Sequence, residues 1–330
     1  MEGDVLLVLV VAVALGFDFT NGFHDTANAV ATSVSTRALS PRIAVAVASV
    51  ANLVGAFVTT AVAATVGKRI IDTGLATTKT VLAALFGAIA WNLLTWWLGL
   101  PSSSSHALIG GLIGAAIAQS GMGGVQWHGV AHKVVLPAFL APTIAFAAGF
   151  VVLVVIYWFF QRLSSGTANR TFRLGQLASG TFVAYTHGAN DAQKTMGVIA
   201  LALFTNGSID HFYIPDWVKV SAGVAIAAGT YVGGWRIMRT LGQRLYKIEP
   251  AAGFSAQACA GAVIDVATRL GYPLSTTHVI SGAVLGSGST RRLSAVRWGI
   301  AGNIGVAWFL TIPAAAIVAA ALYWPVEAIF

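Results

Sequence analysis

A polar motif that occurs twice within a largely apolar chain most constrains what this sequence can fold into. The stretch Thr20–Asn28 (TNGFHDTAN) is echoed by Thr186–Lys194 (THGANDAQK), and Pro101–His106 (PSSSSH) is echoed by Pro273–His278 (PLSTTH). The first motif recurs after 166 residues, counted between aspartates, and the second after 172, counted between histidines; both are about half of 330. Two halves with polar breaks at corresponding positions are typical of transporters with a central site.

The composition indicates a multi-pass protein of the plasma membrane. Hydrophobic residues make up 57% of the chain and charged residues 9%, against roughly 25% charged residues in soluble domains. The net charge of +8 comes from basic residues that lie between apolar segments, which fits positive-inside orientation in a bilayer rather than nucleic-acid binding. A single cysteine, Cys259, excludes an internal disulfide and a cysteine metal cluster. We expect no metal centre and no cofactor.

Segment lengths predict an all-α integral membrane fold with discontinuous helices. A membrane-spanning helix needs about 20 apolar residues. The segments that meet this criterion are 5–19, 42–66, 79–99, 133–161, 174–186 leading into 187–205, 217–235, 252–270 and 298–324. Three shorter and more polar pieces, 20–36, 101–120 and 274–289, are expected to be re-entrant half-helices buried in protein or lining a cavity.

The loop charges predict that the two halves are inverted repeats. One consistent cytoplasmic side, with both termini outside, results from placing four groups of basic residues there: Arg37 with Arg42, Arg162–Arg173, Arg236–Lys247 and Arg291–Arg297. Lys68 and Arg69 are the exception. We therefore expect a first transmembrane repeat at 1–160, a cytoplasmic linker at 161–173, and a second transmembrane repeat at 174–330.

Asp25 and Asp191 are the leading candidates for ion coupling. A charge inside the bilayer costs about 2.5–3.5 kcal/mol on insertion scales, so intramembrane acids are usually functional. The alternative is that each merely caps the start of a half-helix. Asn21, Asn28 and Asn190 add amide groups to the same motifs. Such a set suits cation coordination, proton exchange and hydrogen bonding to an oxyanion.

The hydroxyl-rich motifs are candidates for anion binding. Proline is tolerated at a helix start, and helix N-termini bind phosphate-like groups through free N–H groups and the helix dipole. The candidate residues are Ser103, Ser104, Ser105, Ser275, Thr276 and Thr277. Ordinary capping without a ligand is the alternative. His106 and His278 are expected to orient these segments by hydrogen bonding, with direct proton carriage as the second interpretation.

Lys194 breaks the symmetry between the halves, because Asn28 occupies its position in the first copy. A buried ammonium needs a partner, which would be Asp191 or a bound anion. The alternative is a lysine that extends to the membrane interface. Two further acids, Asp18 and Asp265, have no acidic counterpart in the other half, and we assign them no role from sequence. His24 and His187 are weaker candidates.

The four motifs, in this order, resemble the inorganic phosphate transporter (PiT) family, and the resemblance runs from Phe17 to the end of the chain. The segments around Asn21, Gly188 and Pro273 are most similar to bacterial low-affinity phosphate transporters. The resemblance implies an inverted-repeat fold with re-entrant hairpins, phosphate held near the midplane, and a homodimer. It also implies that Asp25, Asn28, Asn190, Asp191 and the hairpin hydroxyls form the site.

Two departures from sodium-coupled members bear on the coupling ion. Those members carry Asn in place of Lys194 and often Glu in place of Asn52, and both differences remove features that hold sodium. An ammonium would also repel a metal ion. We therefore expect phosphate import coupled to protons, with neutral metal–phosphate complexes as further cargo. A sodium symporter and a sulfate permease of the same fold are the alternatives.

Two other function classes are less well supported. An intramembrane hydrolase would need a nucleophile and a base in contact, but neighbours on a helix such as Ser105 and His106 do not face each other. We therefore expect no enzymatic activity. A channel also uses broken helices, but a lysine set against an acid fits an occluded carrier site better.

Overall fold

The computed structural model describes residues 2–330, except for the side chains of Glu2, Gly3 and Gln243. Within that range the protein is helical and contains no strand, apart from an isolated bridge between Ile71 and Val125. The helices are α1 (Glu2–Ser35), α2 (Pro41–Gly55), α3 (Ala61–Arg69), α4 (Thr78–Leu98), α5 (Ser104–Ser120), α6 (Trp127–Val130), α7 (Leu136–Phe160), α8 (Ser165–Thr205), α9 (Asp216–Val232), α10 (Trp235–Arg239), α11 (Pro250–Arg269), α12 (Thr276–Ser289) and α13 (Trp298–Ile329). Five of the described helices are long and apolar enough to cross a membrane.

The two copies of the first motif lie inside long, continuous helices. α1 contains 34 residues and α8 contains 41. The prediction of a separate half-helix at 20–36 is therefore wrong, because this polar stretch is the second part of α1. The apolar-length rule describes helices that face lipid, whereas residues 20–33 are almost entirely buried in protein. Neighbouring helices supply the polar partners that lipid could not.

The second motifs begin two short helices, close to where the sequence predicted them. α12 has 14 residues, fewer than the roughly 20 needed to span the hydrocarbon core. α5 has 17, and together with the turn that follows it reaches Gly124, 21 residues in all, so it is one of the five long apolar helices. The Ser103 hydroxyl accepts a hydrogen bond from the His106 N–H at 3.1 Å, and the Ser275 hydroxyl accepts one from His278 at 3.3 Å. Each serine therefore caps its helix and satisfies one of the free N–H groups.

Other boundaries differ from those predicted. The apolar segment 42–66 is interrupted at residues 56–60, so that α2 and α3 are separate helices. The polar stretch 161–173 is a loop only up to Ser164, where α8 is capped by the Ser164 hydroxyl. Basic residues from distant loops come together at one end of the bundle, where Arg37, Lys247 and Arg291 line a surface cavity of about 510 Å³.

Glycines permit close packing of the helices that carry the site. α5 packs against α13, and α12 packs against α7. A side chain at Gly110 or Gly114 would overlap the backbone of α13, and one at Gly282 or Gly286 would overlap the backbone of α7. Small residues four apart are a common packing device between membrane helices. The repeated glycines of the second motif therefore hold α5 and α12 in equivalent places in the two halves.

The long helices of one half pack against the other half. α1 contacts α9, and α2 contacts α8. The approach is again close, because a Cβ atom at Gly22 would fall against the backbone of α9, and one at Gly188 against Asn52 of α2. These crossings bring the motif of α1 next to the motif of α8, with the starts of α5 and α12 between them.

Candidate functional site

The polar residues of the two motifs form one buried cluster. Every side chain that the sequence proposed for the site is at most 4% exposed. Asp25 of α1 and Asp191 of α8 lie on either side of His187, whose Nε2 atom is 4.0 Å from an oxygen of Asp25 and 3.4 Å from an oxygen of Asp191. Both acids lie inside their helices, so the interpretation that they are only helix caps is wrong.

Asp25 is held by a histidine from its own motif. Nδ1 of His24 is 2.6 Å from Oδ1 of Asp25, and the hydroxyl of Thr276 lies 3.5 Å from Oδ2. Nε2 of His24 lies 3.1 Å from the Thr95 hydroxyl and 3.3 Å from the Ser102 hydroxyl. The carboxylate is therefore connected through His24 to α4 and to the residues that precede α5.

Lys194 bridges three elements at the centre of the cluster. Its Nζ atom donates to Oδ1 of Asp191 at 2.5 Å, to the carbonyl oxygen of Leu274 at 2.8 Å, and to the Ser105 hydroxyl. The side chain is 1% exposed. The interpretation that Lys194 extends to the membrane interface is therefore wrong, and its partner is Asp191.

The two halves hold each other's short helices. Asn28 of α1 donates to the hydroxyls of Thr277 at 2.8 Å and Thr276 at 3.4 Å, at the start of α12. Lys194, the equivalent residue of α8, reaches the hydroxyl of Ser105 at the start of α5. Each long helix therefore binds the short helix of the opposite half, although an amide does so in one case and an ammonium in the other.

Several buried polar atoms of the cluster have no hydrogen-bond partner within the described part of the chain. They include Oδ1 of Asn21, Asn28 and Asn190 and Oγ of Ser104. The amide nitrogens of the same residues are engaged: that of Asn21 donates to Asp191 at 3.3 Å, and that of Asn190 to Thr268 at 2.8 Å. Buried polar groups are normally paired, so these atoms mark the positions at which the cluster can still bind a ligand.

The hydroxyl groups of the two short helices have different roles. Those of Ser103 and Ser275 act as helix caps, so the alternative of ordinary capping describes these two residues. The hydroxyls of Thr276 and Thr277 accept from Asn28, and that of Ser105 donates to the carbonyl of Leu274 at 3.0 Å. Ser104 contributes a hydroxyl without such a partner.

His106 and His278 contact each other through their rings. The centroids are 4.6 Å apart in an edge-to-face arrangement, and His278 also stacks on Trp308 at 4.0 Å. These ring contacts pack His278 between α5 and α13. That the two histidines orient their segments by hydrogen bonding stays a prediction. A largely apolar cavity of about 580 Å³ between α7, α12 and α13 opens beside this pair.

The remaining acids have contrasting environments. Asp265 forms an ion pair with Arg269 at 2.8 Å, and its side chain is 21% exposed. Asp18 is fully buried in α1, and neither of its carboxyl oxygens has a hydrogen-bond partner among the described residues. Sequence alone does not separate these two acids, because hydropathy does not distinguish a buried residue from one at a helix end.

The sequence underrated or missed part of the site. His24 and His187 are only weak candidates from sequence, although their position inside the duplicated motifs is a usable signal. Oδ1 of Asn52 accepts from Nδ1 of His187 at 2.9 Å, and the amide nitrogen of Asn52 donates to the Thr230 hydroxyl at 2.9 Å. No local pattern points to Thr230, since it enters the site only through the packing of α9 against α1.

The cluster balances its charges locally. Two carboxylates face one ammonium and two histidines. Asp191 forms an ion pair with Lys194, and Asp25 lies beside the rings of His24 and His187. The ligand atoms of Asp25, His187 and Asp191 lie within 4.8 Å of one another, which is the spacing of a small cation site. The same cluster thus presents acceptors for a cation or protons and donors for an anion.

A helical membrane protein with a closed polar centre, built from two related halves, has the architecture of a transport protein. Comparison with known proteins agrees. The model of the phosphate transporter family (PHO4) matches residues 21–167 and 160–319. The chain belongs to the phosphate transporter family and is a multi-pass plasma-membrane protein.

Individual relatives extend over nearly the whole chain. It is 52% identical over 320 residues to a probable low-affinity inorganic phosphate transporter of Mycobacterium bovis, covering 96% of this chain and 77% of that one. It is 45% identical to a protein of the same description from Bacillus subtilis, covering 99% and 98%. A solved structure, the sodium-dependent phosphate transporter, superposes with a TM-score of 0.91 at 24% identity, covering 99% and 100%, and so shares the fold.

Proposed function

We propose that this protein imports inorganic phosphate by secondary active transport, as a proton symporter. The observation that carries the proposal is the meeting of two hydroxyl-bearing helix starts at one buried lysine, in a chain of the phosphate transporter family. Helix N-termini favour anions. An ammonium, two helix dipoles and the hydroxyls of Ser104, Thr276 and Thr277 would together surround a tetrahedral anion.

The acids beside this anion site favour phosphate over sulfate. Phosphate at neutral pH carries at least one O–H donor, whereas sulfate carries none. Asp25, together with the unpartnered amide oxygens of Asn28 and Asn190, supplies acceptors for such a donor. A sulfate ion would face these acceptors without being able to pair with them.

The equivalent packing of the two halves supports an inverted-repeat organisation. Asn28 and Lys194 reach the short helix of the opposite half, and α5 and α12 pack on α13 and α7 in corresponding ways. We propose that residues 1–160 and 174–330 are the two repeats, that α5 and α12 enter the membrane without crossing it, and that the basic end of the bundle is cytoplasmic. The proposal includes the homodimer that the family resemblance implies.

A carrier accounts for the closed site better than a channel does. The residues of the cluster are buried on all sides, whereas a conducting pore needs a continuous aqueous path. Transport therefore requires the contacts of Asn28 and Lys194 with the short helices to break on one side at a time.

The geometry also argues against a hydrolase. Ser105 is bound to Lys194 rather than to a histidine, which would allow a serine–lysine pair. The ammonium of Lys194 is engaged with Asp191 at 2.5 Å, however, and an ion-paired lysine has no free electron pair with which to act as a base. The relatives in the family are transporters.

Lys194 supports protons as the coupling ion. A sodium ion at the 4.8 Å cluster of Asp25, His187 and Asp191 would lie next to an ammonium that already neutralises one of its ligands. Histidines and carboxylates in contact can instead exchange protons. The solved structure of the same fold is sodium-dependent by its title, so sodium coupling is the alternative. Neutral metal–phosphate complexes are a further form of cargo.

The proposal is tested by phosphate uptake into proteoliposomes containing Asp25→Asn. We expect uptake to fall by at least about tenfold, because the substitution replaces one of the two accepting carboxylate oxygens with an NH2 donor, so that the side chain no longer accepts at both positions. Asp265→Asn, in a partly exposed ion pair, is the matched control and should transport normally. Wild-type uptake by a correctly folded Asp25→Asn protein would contradict the proposed site.

A further inference from the structure

Asp18 is a buried acid that the proposed substrate site does not use. It lies two turns before Asp25 in α1 and is fully buried, and neither carboxyl oxygen has a hydrogen-bond partner in residues 2–330. Leaving an ionised carboxylate in such a place costs far more than leaving a neutral one. The motif offset places Ala184 opposite it in the other half, so Asp18 belongs to one half only.

The ionisable groups that act on Asp18 come from α8. Among the described residues, they are Asp191 and Lys194. Lys194 already donates to Asp191 at 2.5 Å, so it provides Asp18 with no ion pair. Residues 80–98 of α4, 220–230 of α9 and 43–55 of α2, which pack on α1, contain no ionisable side chain. The helices α5, α10, α11 and α12 also contact α1 and carry ionisable residues, but none of these residues is among the charges that act on Asp18.

The polar neighbours of Asp18 suit a protonated carboxyl group. Asn21 and Thr195 lie beside it. Oδ1 of Asn21 and Oγ1 of Thr195 are buried and have no partner among the described residues. A protonated acid has one O–H donor that an amide oxygen accepts, and a remaining oxygen to which a threonine hydroxyl donates.

We propose that Asp18 is a proton-binding site that couples protons to phosphate transport. This inference rests on the proposed proton symport. With Asp18 protonated, Lys194 faces a single carboxylate and remains available to an anion. When Asp18 loses its proton, two carboxylates compete with the anion for one ammonium, and phosphate affinity falls. Because such linkage is reciprocal, phosphate binding also strengthens proton binding at Asp18.

The test uses Asp18→Asn, which resembles the protonated acid in shape and charge. In proteoliposomes, we expect exchange of external labelled phosphate for internal phosphate to stay within about threefold of wild type, while accumulation driven by a proton gradient falls by at least about tenfold. Asp265→Asn should keep both activities. Wild-type accumulation by Asp18→Asn, or loss of exchange together with accumulation, would overturn the proposal.

Infrared spectroscopy of the purified protein tests the protonation directly. We expect a carboxylic-acid C=O band in the wild type that Asp18→Asn removes and Asp265→Asn retains. A wild-type spectrum without such a band would overturn the proposal even if the variant failed to fold. Failure of the proposed proton symport can be told apart from failure of the Asp18 proposal. It would be seen in the wild-type protein without any variant, as phosphate uptake driven by sodium and insensitive to a proton gradient.

Discussion

At the scale of single residues, the proposed anion site depends on the ion pair between Lys194 and Asp191. The pair is almost completely buried and joins α8 to the starts of α5 and α12. A buried pair gains little over an apolar replacement of both partners, but removing one partner leaves an uncompensated charge. The pair is therefore explained by its position beside the anion site rather than by stability.

Removing the lysine alone should destabilise the protein. We expect Lys194→Met to lower the free energy of unfolding by about 3–5 kcal/mol, because Asp191 is left buried without its cation. The double variant with Asp191→Asn should recover part of that loss. Thermal unfolding in detergent measures both effects.

A second lysine of the chain provides the control. Lys219 also pairs with an aspartate three residues before it, Asp216, at 2.8 Å, but at the exposed start of α9. Exposed ion pairs contribute little to stability, so Lys219→Met should unfold at the same temperature as the wild type. Equal behaviour of the two lysine variants would contradict the role given to burial.

The serines at the start of α5 should separate binding from capping. Ser104 has a buried hydroxyl with no partner among the described residues, whereas that of Ser103 caps the helix. We expect Ser104→Ala to raise the KM for phosphate by about 3–10-fold, because one hydrogen bond to the anion is lost. The stability of this variant should be unchanged. Ser103→Ala should cost about 1 kcal/mol of stability. Uptake kinetics and thermal unfolding of both variants test these roles. A Ser104→Ala protein that loses stability, with a Ser103→Ala protein that loses only phosphate affinity, would refute the assignment.

At the scale of helices, the sequence predicted what local chemistry determines and missed what packing determines. The starts of α5 and α12 follow from proline and hydroxyl residues, and most apolar segments coincide with helices within a few residues. The continuity of α1 through its polar half was not predicted, because hydropathy treats a protein-buried surface as if it faced lipid. The break between α2 and α3 and the contribution of Thr230 depend on neighbouring helices, which a single sequence does not specify.

The glycines of α5 provide a test of the packing. A Cβ atom at Gly114 would overlap the backbone of Ala316 in α13, whereas one at Gly302 of α13 meets nothing within 4 Å. We expect Gly114→Ala to cost about 1–3 kcal/mol or more, as overpacking does, and to reduce uptake by displacing α5. Gly302→Ala should leave stability unchanged or slightly raised. Thermal unfolding of the two alanine variants measures this, and equal stability would show that α5 and α13 do not approach so closely.

At the scale of the whole molecule, transport requires the closed cluster to open to each side in turn. Asn28 and Lys194 hold the two short helices from opposite halves, so releasing one contact while keeping the other would expose the site to one side only. The near-symmetry of the halves makes the two openings similar. Asp18 in the first half and Lys194 in the second each lack a charged equivalent in the other half, and we assign coupling to these two unmatched charges.

The most direct test of the central claim is labelled phosphate uptake by the wild-type protein in proteoliposomes, with a proton gradient or a sodium gradient imposed and sulfate as competitor. We predict accumulation of phosphate that is driven by the proton gradient and is unaffected by sodium and by excess sulfate. Accumulation driven only by sodium would contradict the coupling assigned to Lys194 and Asp18. Transport of sulfate in place of phosphate would contradict the selectivity assigned to the acceptor groups around Asp25.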